Sequence, residues 1–418
     1  MAYDAIVIGA GAAGLAALRE LHRAGLNVVC IEALGRIGGR IYTVHDPQSP
    51  DAIELGAEFV HGRSPEIFEI AAEAGLRVAE RSRQIQPASG SQRQDDGGMW
   101  RLMAAMEEAA ESGPDETFAA FASRAPFDDA ARQAATRFVE GFNAAHAAIV
   151  SIQALAQESK AADAIEGERA FHLLDGYDSV PHALLSPGTE LRLHTAAERI
   201  EWKPGEAVVH ARSTADGSRH TIAARQVVIT VSLGVLQGGG IALEPEPAGA
   251  LGAARALAFG QAMRVTFRFE CMPDFFRPGF ILSDQPVFPT WWTPLPTRAP
   301  VITGWSAGPK ADALVGMPED AIVEAALDSL RKIAGASALP VAASYFHNWH
   351  DDPYFRGAYS YVPAGNLAAR AALAAPVADT LYFAGEAADF TGHAATVHGA
   401  IASGRHAARS ALAARAAQ

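Results

Sequence analysis

Three glycines and one carboxylate carry the first readable chemistry of this chain. Gly9, Gly11 and Gly14 stand at G-x-G-x-x-G spacing within DAIVIGAGAAGLAALRELHRAGLNVVCIE, residues 4–32. At such a turn Gly9 permits a sharp exit from a strand. Gly11 lets a pyrophosphate approach the backbone, and Gly14 lets a helix pack closely on the sheet. The N–H groups and dipole at the helix N-terminus receive the phosphates. Glu32, 18 residues beyond Gly14, is placed to accept both hydroxyls of an adenosine ribose and disfavours the 2′-phosphate of NADP. The residues predict a dinucleotide site; a glycine-rich turn in another α/β protein is the competing reading.

The elements that must position these residues are legible around them. Ala5 to Ile8 is a short apolar run, as a buried parallel strand requires. Ala12 to Arg23 is rich in helix formers, with Leu15, Leu18 and Leu21 at helical intervals. Gly25 and Asn27 stop that helix, and Val28 to Ile31 is a second buried strand closed by Glu32. Pro65 to Leu76 reads as a helix, Arg81 to Gly98 as loop and turns, and 100–165 as helices broken at Gly113-Pro114 and Ala125-Pro126. Residues 190–230 alternate as strands joined by a turn at 215–217. Strands are expected around Phe280 and Ile302, a helix over Glu319 to Ala334, and a fraying helix over Ala407 to Gln418.

Composition bounds the class. The chain has 418 residues, 49% of them apolar, enough for two or three domains. A net charge of −13, with no lysine or arginine cluster, argues against nucleic acid and anionic membranes. Cys30 and Cys271 are too few for a disulfide framework or a metal site. No signal segment and no apolar run of membrane-spanning length is visible, so a reducing, cytoplasmic setting is expected.

With the residues after Glu32, the sequence resembles a known family. GAGAAGL, then EALGRIGGRIYT (residues 32–43), then ELGAEFVHG (residues 54–62) is similar to the opening of the flavin-containing amine oxidases. Residues 349–365, WHDDPYFRGAYSYVPAG, and 381–408, LYFAGEAADFTGHAATVHGAIASGRHAA, resemble the segments that pass the flavin ring and close that fold. The resemblance implies an α/β (α+β overall) architecture, with a two-domain plan. A discontinuous Rossmann-type FAD domain covers 1–75, 190–262 and 346–418. A mixed-sheet and helical substrate domain covers 76–189 and 263–345.

The same resemblance assigns residues. FAD contacts are implied at Gly9, Gly11, Ala13, Gly14, Glu32, Ala33, Gly39, Arg40, Gly56, Ala57, Glu58, Ala197, Val362, Gly385, Glu386, Thr396, Val397 and Ala400. Arg36 and Arg40 flank a glycine turn suited to a second pyrophosphate contact. Where some relatives bind flavin through cysteine this chain has Ala358, so non-covalent FAD is expected. Tyr359 matches one wall of an aromatic cage around the substrate nitrogen; the second falls at Thr396. Arg264 stands where many relatives have a lysine beside flavin N5, and Ser232 replaces a usual proline. Arginine cannot be deprotonated, so a lysine role does not transfer. Tyr359, Arg264 and His61 are the candidate catalytic residues.

The function implied is oxidation of a small-molecule amine by hydride transfer to flavin, with dioxygen as acceptor and hydrogen peroxide as product. A di- or polyamine ranks ahead of an amino acid. Alternatives are a flavin dehydrogenase or desaturase with another acceptor, and a flavin-binding protein with little catalysis. Glu140, Asn143 and His146 are placed either in the pocket or on a solvated helix face, and Phe288, Trp291, Trp292 and Trp305 either in a pocket wall or in the core. The resemblance leaves oligomeric state open.

Overall fold

A computed structural model describes residues 3–81, 85–87, 97–273, 276 and 279–417. The opening unit folds as its apolar pattern dictates. Strand Tyr3–Ile8 pairs in parallel with Val28–Ile31, and helix Ala12–Arg23 crosses between them. Both strands bury the runs Ala5–Ile8 and Val28–Ile31, because the sheet is covered on both faces.

That pair sits in an eight-stranded sheet assembled from distant segments. Strand Arg219–Ile229 lies beside Tyr3–Ile8 in parallel, with Tyr3 opposite Ala224 and Ile8 opposite Ile229. Leu381–Phe383 joins its other side, and Thr195–Lys203, Glu206–Ser213 and Ala242–Glu244 extend the sheet. Glu190–Arg192 pairs with Val28–Ile31 at the far edge. The alternating run expected as one strand at 190–202 is therefore two strands, broken at His194, whose φ is 52°. The expected turn at 215–217 does join Glu206–Ser213 to Arg219–Ile229.

A second sheet has six strands, in the order Val341–Phe346, Ala262–Phe269, Val301–Ala307, Thr290–Trp292, Phe280–Leu282 and Ile85–Pro87. Helix Glu319–Ala334, as expected, buries Ile322, Ala326, Leu330 and Ile333 in the core of this sheet. Phe288 and Trp291 are fully buried there, so the core reading holds for both. Ile85–Pro87 corrects the expectation of loop throughout 81–98: parallel pairing with Phe280–Leu282 gives its backbone a ladder. The remainder of that stretch, 82–84 and 88–96, lies outside the described residues.

Four helices, Gly98–Ser112, Phe118–Arg124, Asp129–Asn143 and Ile152–Asp163, pack through Leu102, Met106, Phe118, Phe121 and Val139. Thr117, Asp128 and Ser151 cap the last three, each accepting a first-turn N–H.

The closing helix, Val397–Ala416, corrects the fraying tail. Ala407, Ala408 and Ala411 are buried against the first helix, so packing rather than propensity fixes this segment. The two helices touch through glycine. A Cβ at Gly404 would lie 2.1 Å from the Ala13 carbonyl oxygen, and one at Gly14 1.8 Å from that of Gly9. Gly404→Ala should therefore destabilise the protein by about 1–3 kcal/mol, as overpacking does. Helix propensity alone would give a gain of roughly 1 kcal/mol. Urea unfolding midpoints decide the sign.

Candidate active site

The first helix presents a bare N-terminus. Gly11 is its N-cap, no side chain caps it, and its first turn carries no acid. Its N–H groups and dipole thus face an anion without internal competition. Gly39, with φ of 60°, lies against it: a Cβ there would sit 3.2 Å from Gly11 Cα. Glu32 ends the second strand, 7% exposed, and accepts N–H bonds from Ala10 at 2.7 Å and Leu34 at 2.9 Å. Burial pushes its pKa up against the pull of those N–H groups. Ala33 is anchored by the Thr214 hydroxyl, 2.8 Å from its carbonyl. Ala197 lies where the pairing of Thr195–Lys203 slips register. Gly385, with φ of 138°, has open space where a Cβ would stand. A phosphate cradle, a carboxylate for ribose and a gap at Gly385 fit a dinucleotide flavin.

Arg36 and Arg40 do different work from the paired pyrophosphate contact expected. Arg36 donates to the carbonyls of Gly39 at 2.8 Å and Ile41 at 3.2 Å, so it shapes the turn. Arg40 crosses to the C-terminal block, donating to Glu386 at 2.9 Å and to the Ala358 carbonyl at 2.6 Å. Glu386 is buried and also accepts from the Ser360 hydroxyl at 2.6 Å and the Ala395 N–H at 3.1 Å. Burial raises its pKa, but Arg40 and Arg370 hold it below the ordinary carboxylate value. Arg370 in turn donates to Ser360 Oγ at 2.7 Å. Ser360 and Arg370 carried no signal in the sequence, since only the fold brings them to Glu386.

Strand Tyr359–Tyr361 rests on this network and pairs with Ala258–Gly260. Val362 follows it, buried, its carbonyl taking the Ser151 N–H at 2.9 Å. Thr396 caps the closing helix, accepting from the Gly399 N–H at 3.0 Å, and Val397 and Ala400 pack on the opening unit. Ser232 plays the same part for helix Leu233–Gln237 and also donates to the Phe355 carbonyl at 2.6 Å. That second bond is one that proline could not make.

The opposite wall centres on Glu58. Its carboxylate forms a buried ion pair with Arg264, and the Trp292 indole N–H donates to it at 2.9 Å. Arg264 also donates to the Gly56 carbonyl at 3.2 Å, and the Ala57 N–H reaches the Arg40 carbonyl at 3.1 Å. Burial raises the Glu58 pKa, yet Arg264, His172 and Arg81 bring it below its ordinary value. The Glu58 side chain is thus engaged in the wall, and Arg264 is a fixed cation. The Tyr359 hydroxyl donates to the Phe142 carbonyl at 2.8 Å, and His61 meets the Phe142 ring edge-on at 5.7 Å. Burial, reinforced by the Glu386 charge, holds the Tyr359 phenol above its ordinary pKa, so it stays neutral.

Trp292 and Trp305 stand 6.3 Å apart in this wall, a functional position that sequence did not separate from core. Glu140, Asn143 and His146 turn to the Ala147 N–H, Glu158 and Asp312 respectively. Among the described residues no group of three or more metal-ligating side chains occurs, and no helix is long and apolar enough to cross a membrane.

Two outcomes follow from these buried charges. Removing Arg264 alone (Arg264→Met) should cost about 3–5 kcal/mol by stranding Glu58. Adding Glu58→Gln should recover much of that loss in chemical denaturation. His398, on the closing helix, is pushed down to about 3 by burial, then by His393 and His61, from an ordinary 6.5. The unfolded chain therefore binds the extra proton, and stability falls as pH drops from 6.5 toward 3. His398→Gln should lose less stability than wild type across that window, read from urea midpoints at each pH.

The chain was compared with known proteins. The sequence model of flavin-containing amine oxidoreductases matches residues 12–412. Polyamine oxidase 4 of Oryza sativa subsp. japonica is 27% identical, over 96% of this chain and 86% of that protein. Lysine-specific histone demethylase 1B of Mus musculus is 25% identical, over 91% of this chain and 50% of that one. Among solved structures, a wild-type putrescine oxidase bound to putrescine superimposes with a TM-score of 0.83 at 21% identity, covering 99% of both chains. Cyclohexylamine oxidase from Brevibacterium oxydans IH-35A gives 0.83 at 21% identity over the whole of both chains. Those two likenesses speak to the fold, while the match over residues 12–412 settles membership: the chain belongs to the flavin-containing amine oxidoreductase family.

Proposed function

We propose that this protein holds FAD non-covalently and oxidises a small amine, with dioxygen as the electron acceptor. The bare helix N-terminus at Gly11, opposite the Glu32 carboxylate, carries the FAD assignment. Ala358, with no nucleophile, supports a non-covalent site. When bound, the flavin supplies a hydride acceptor for the amine α-carbon and passes the electron pair to dioxygen, giving hydrogen peroxide. The amine also loses a proton, and water converts the imine to a carbonyl compound and ammonia or a smaller amine.

The chain's own residues orient and insulate. Tyr359, neutral and tied to the Phe142 carbonyl, offers a fixed ring face against which an amine nitrogen can lie. Arg264, locked by Glu58, cannot take a proton, so the amine must arrive or become neutral by another route. His61 lies beside the same rings and is a positioning group. Glu386, Arg40 and Ser360 hold the strand that carries Tyr359.

Anaerobic mixing of the holoenzyme with amines should bleach the flavin absorbance, and admitting oxygen should restore it with about one peroxide per amine oxidised. Bleaching that oxygen does not reverse, but an artificial dye does, would place the protein among flavin dehydrogenases instead. Tyr359→Phe should retain most activity, whereas Tyr359→Ala should lower kcat/KM by roughly tenfold or more, an effect of lost positioning.

A further inference from the structure

Resting on the amine-oxidising reading of this site, the rings around Tyr359 narrow the substrate. Six aromatic side chains form a continuous path from the surface to the Glu58 wall. Trp100, 56% exposed on the first of the four packed helices, lies 5.2 Å from Phe138. Phe138 stacks on Phe142 at 5.5 Å with planes 8° apart, and Phe142 is itself 56% exposed. Phe142 meets His61 at 5.7 Å, His61 meets Phe59 at 6.0 Å, and Phe59 meets Trp292 at 5.5 Å. Two large rings left half in water on a folded surface, in line with a buried site, are not accounted for by core packing. Their faces suit an apolar body or a single ammonium passing inward.

The inner end of the path does not suit a second cation. Both Glu58 oxygens are already engaged by Arg264 and Trp292. Arg264 stands over the Trp292 ring at 5.4 Å. Arg81, 3% exposed, lies 5.0 Å from the Phe59 ring centre and 4.0 Å from that of Phe280. Two buried guanidinium groups thus face one carboxylate. Glu140, on the helix that carries Phe138 and Phe142, turns instead to the Ala147 N–H at 3.5 Å. A terminal ammonium brought here would be desolvated beside a net positive charge.

We infer that the substrate is a primary monoamine with an apolar, preferably aromatic body, guided along the Trp100, Phe138 and Phe142 rings, and that a second cationic group is rejected. This departs from the di- or polyamine order that the sequence resemblance implied. It also makes Trp100 and Phe142 specificity-determining residues.

The test is anaerobic stopped-flow reduction of the holoenzyme by matched amines. Hexylamine is set against hexamethylenediamine, which differs only in its terminal ammonium. Phenethylamine is set against phenylalanine, which adds only a carboxylate. The monoamines should reduce the flavin with an apparent second-order constant at least roughly tenfold above their charged counterparts. Trp100→Ala and Phe142→Ala should raise KM for phenethylamine severalfold more than they lower kcat. A diamine that reacts as fast as hexylamine, or phenylalanine outpacing phenethylamine, overturns the substrate assignment and leaves amine oxidation standing. Reduction by none of the amines overturns amine oxidation and the assignment together.

Discussion

A single buried carboxylate joins the separate parts of this molecule. Glu386 is almost wholly out of water and would be costly to bury unpaired. Its partners are Arg40 from the glycine turn, Ser360 from the strand of Tyr359, and the Ala395 N–H just before the closing helix. Arg370 secures Ser360 from behind. The sequence separations are large, so the contacts form only when the opening unit, the ring-passing strand and the closing helix are assembled. A charge that must be neutralised therefore specifies the geometry of the site's floor.

The wall opposite is built on the same principle with the opposite consequence. Glu58 and Arg264 neutralise each other inside the protein, flanked by Trp292. That pair keeps Glu58 ionised and spends the cation that occupies the usual lysine position. The wall then presents mainly aromatic surface, and selectivity passes to ring faces and to residual positive charge. Close helix contact at Gly14 and Gly404 fixes the distance between floor and opening unit.

The parts of the site that obey local rules were legible in the sequence. Gly9, Gly11, Gly14 and Glu32 sit on a βαβ unit whose apolar runs and helix stop could be read directly. Helix Glu319–Ala334 has a pattern with one solution. Elsewhere the decisive partner is remote. Glu58 was expected to contact the cofactor, but its side chain answers Arg264, 206 residues away. Arg40 was grouped with Arg36 because both flank one turn, yet one shapes the loop and the other crosses to Glu386. The alanine-rich end looked like a fraying helix because the small residues carry little pattern; their use is close packing on the first helix. Ile85–Pro87 became a strand through pairing with Phe280–Leu282, which no local propensity encodes.

The central claim is that this cradle holds a dinucleotide flavin without a covalent bond. Acid precipitation of the purified protein, with chromatography and absorbance of the supernatant, tests it most directly. The account predicts yellow supernatant containing FAD at close to one molecule per chain, and a colourless pellet. Flavin retained in the pellet would contradict the reading of Ala358. FMN in place of FAD, or a protein that stays colourless after incubation with FAD, would contradict the cradle at Gly11 and Glu32.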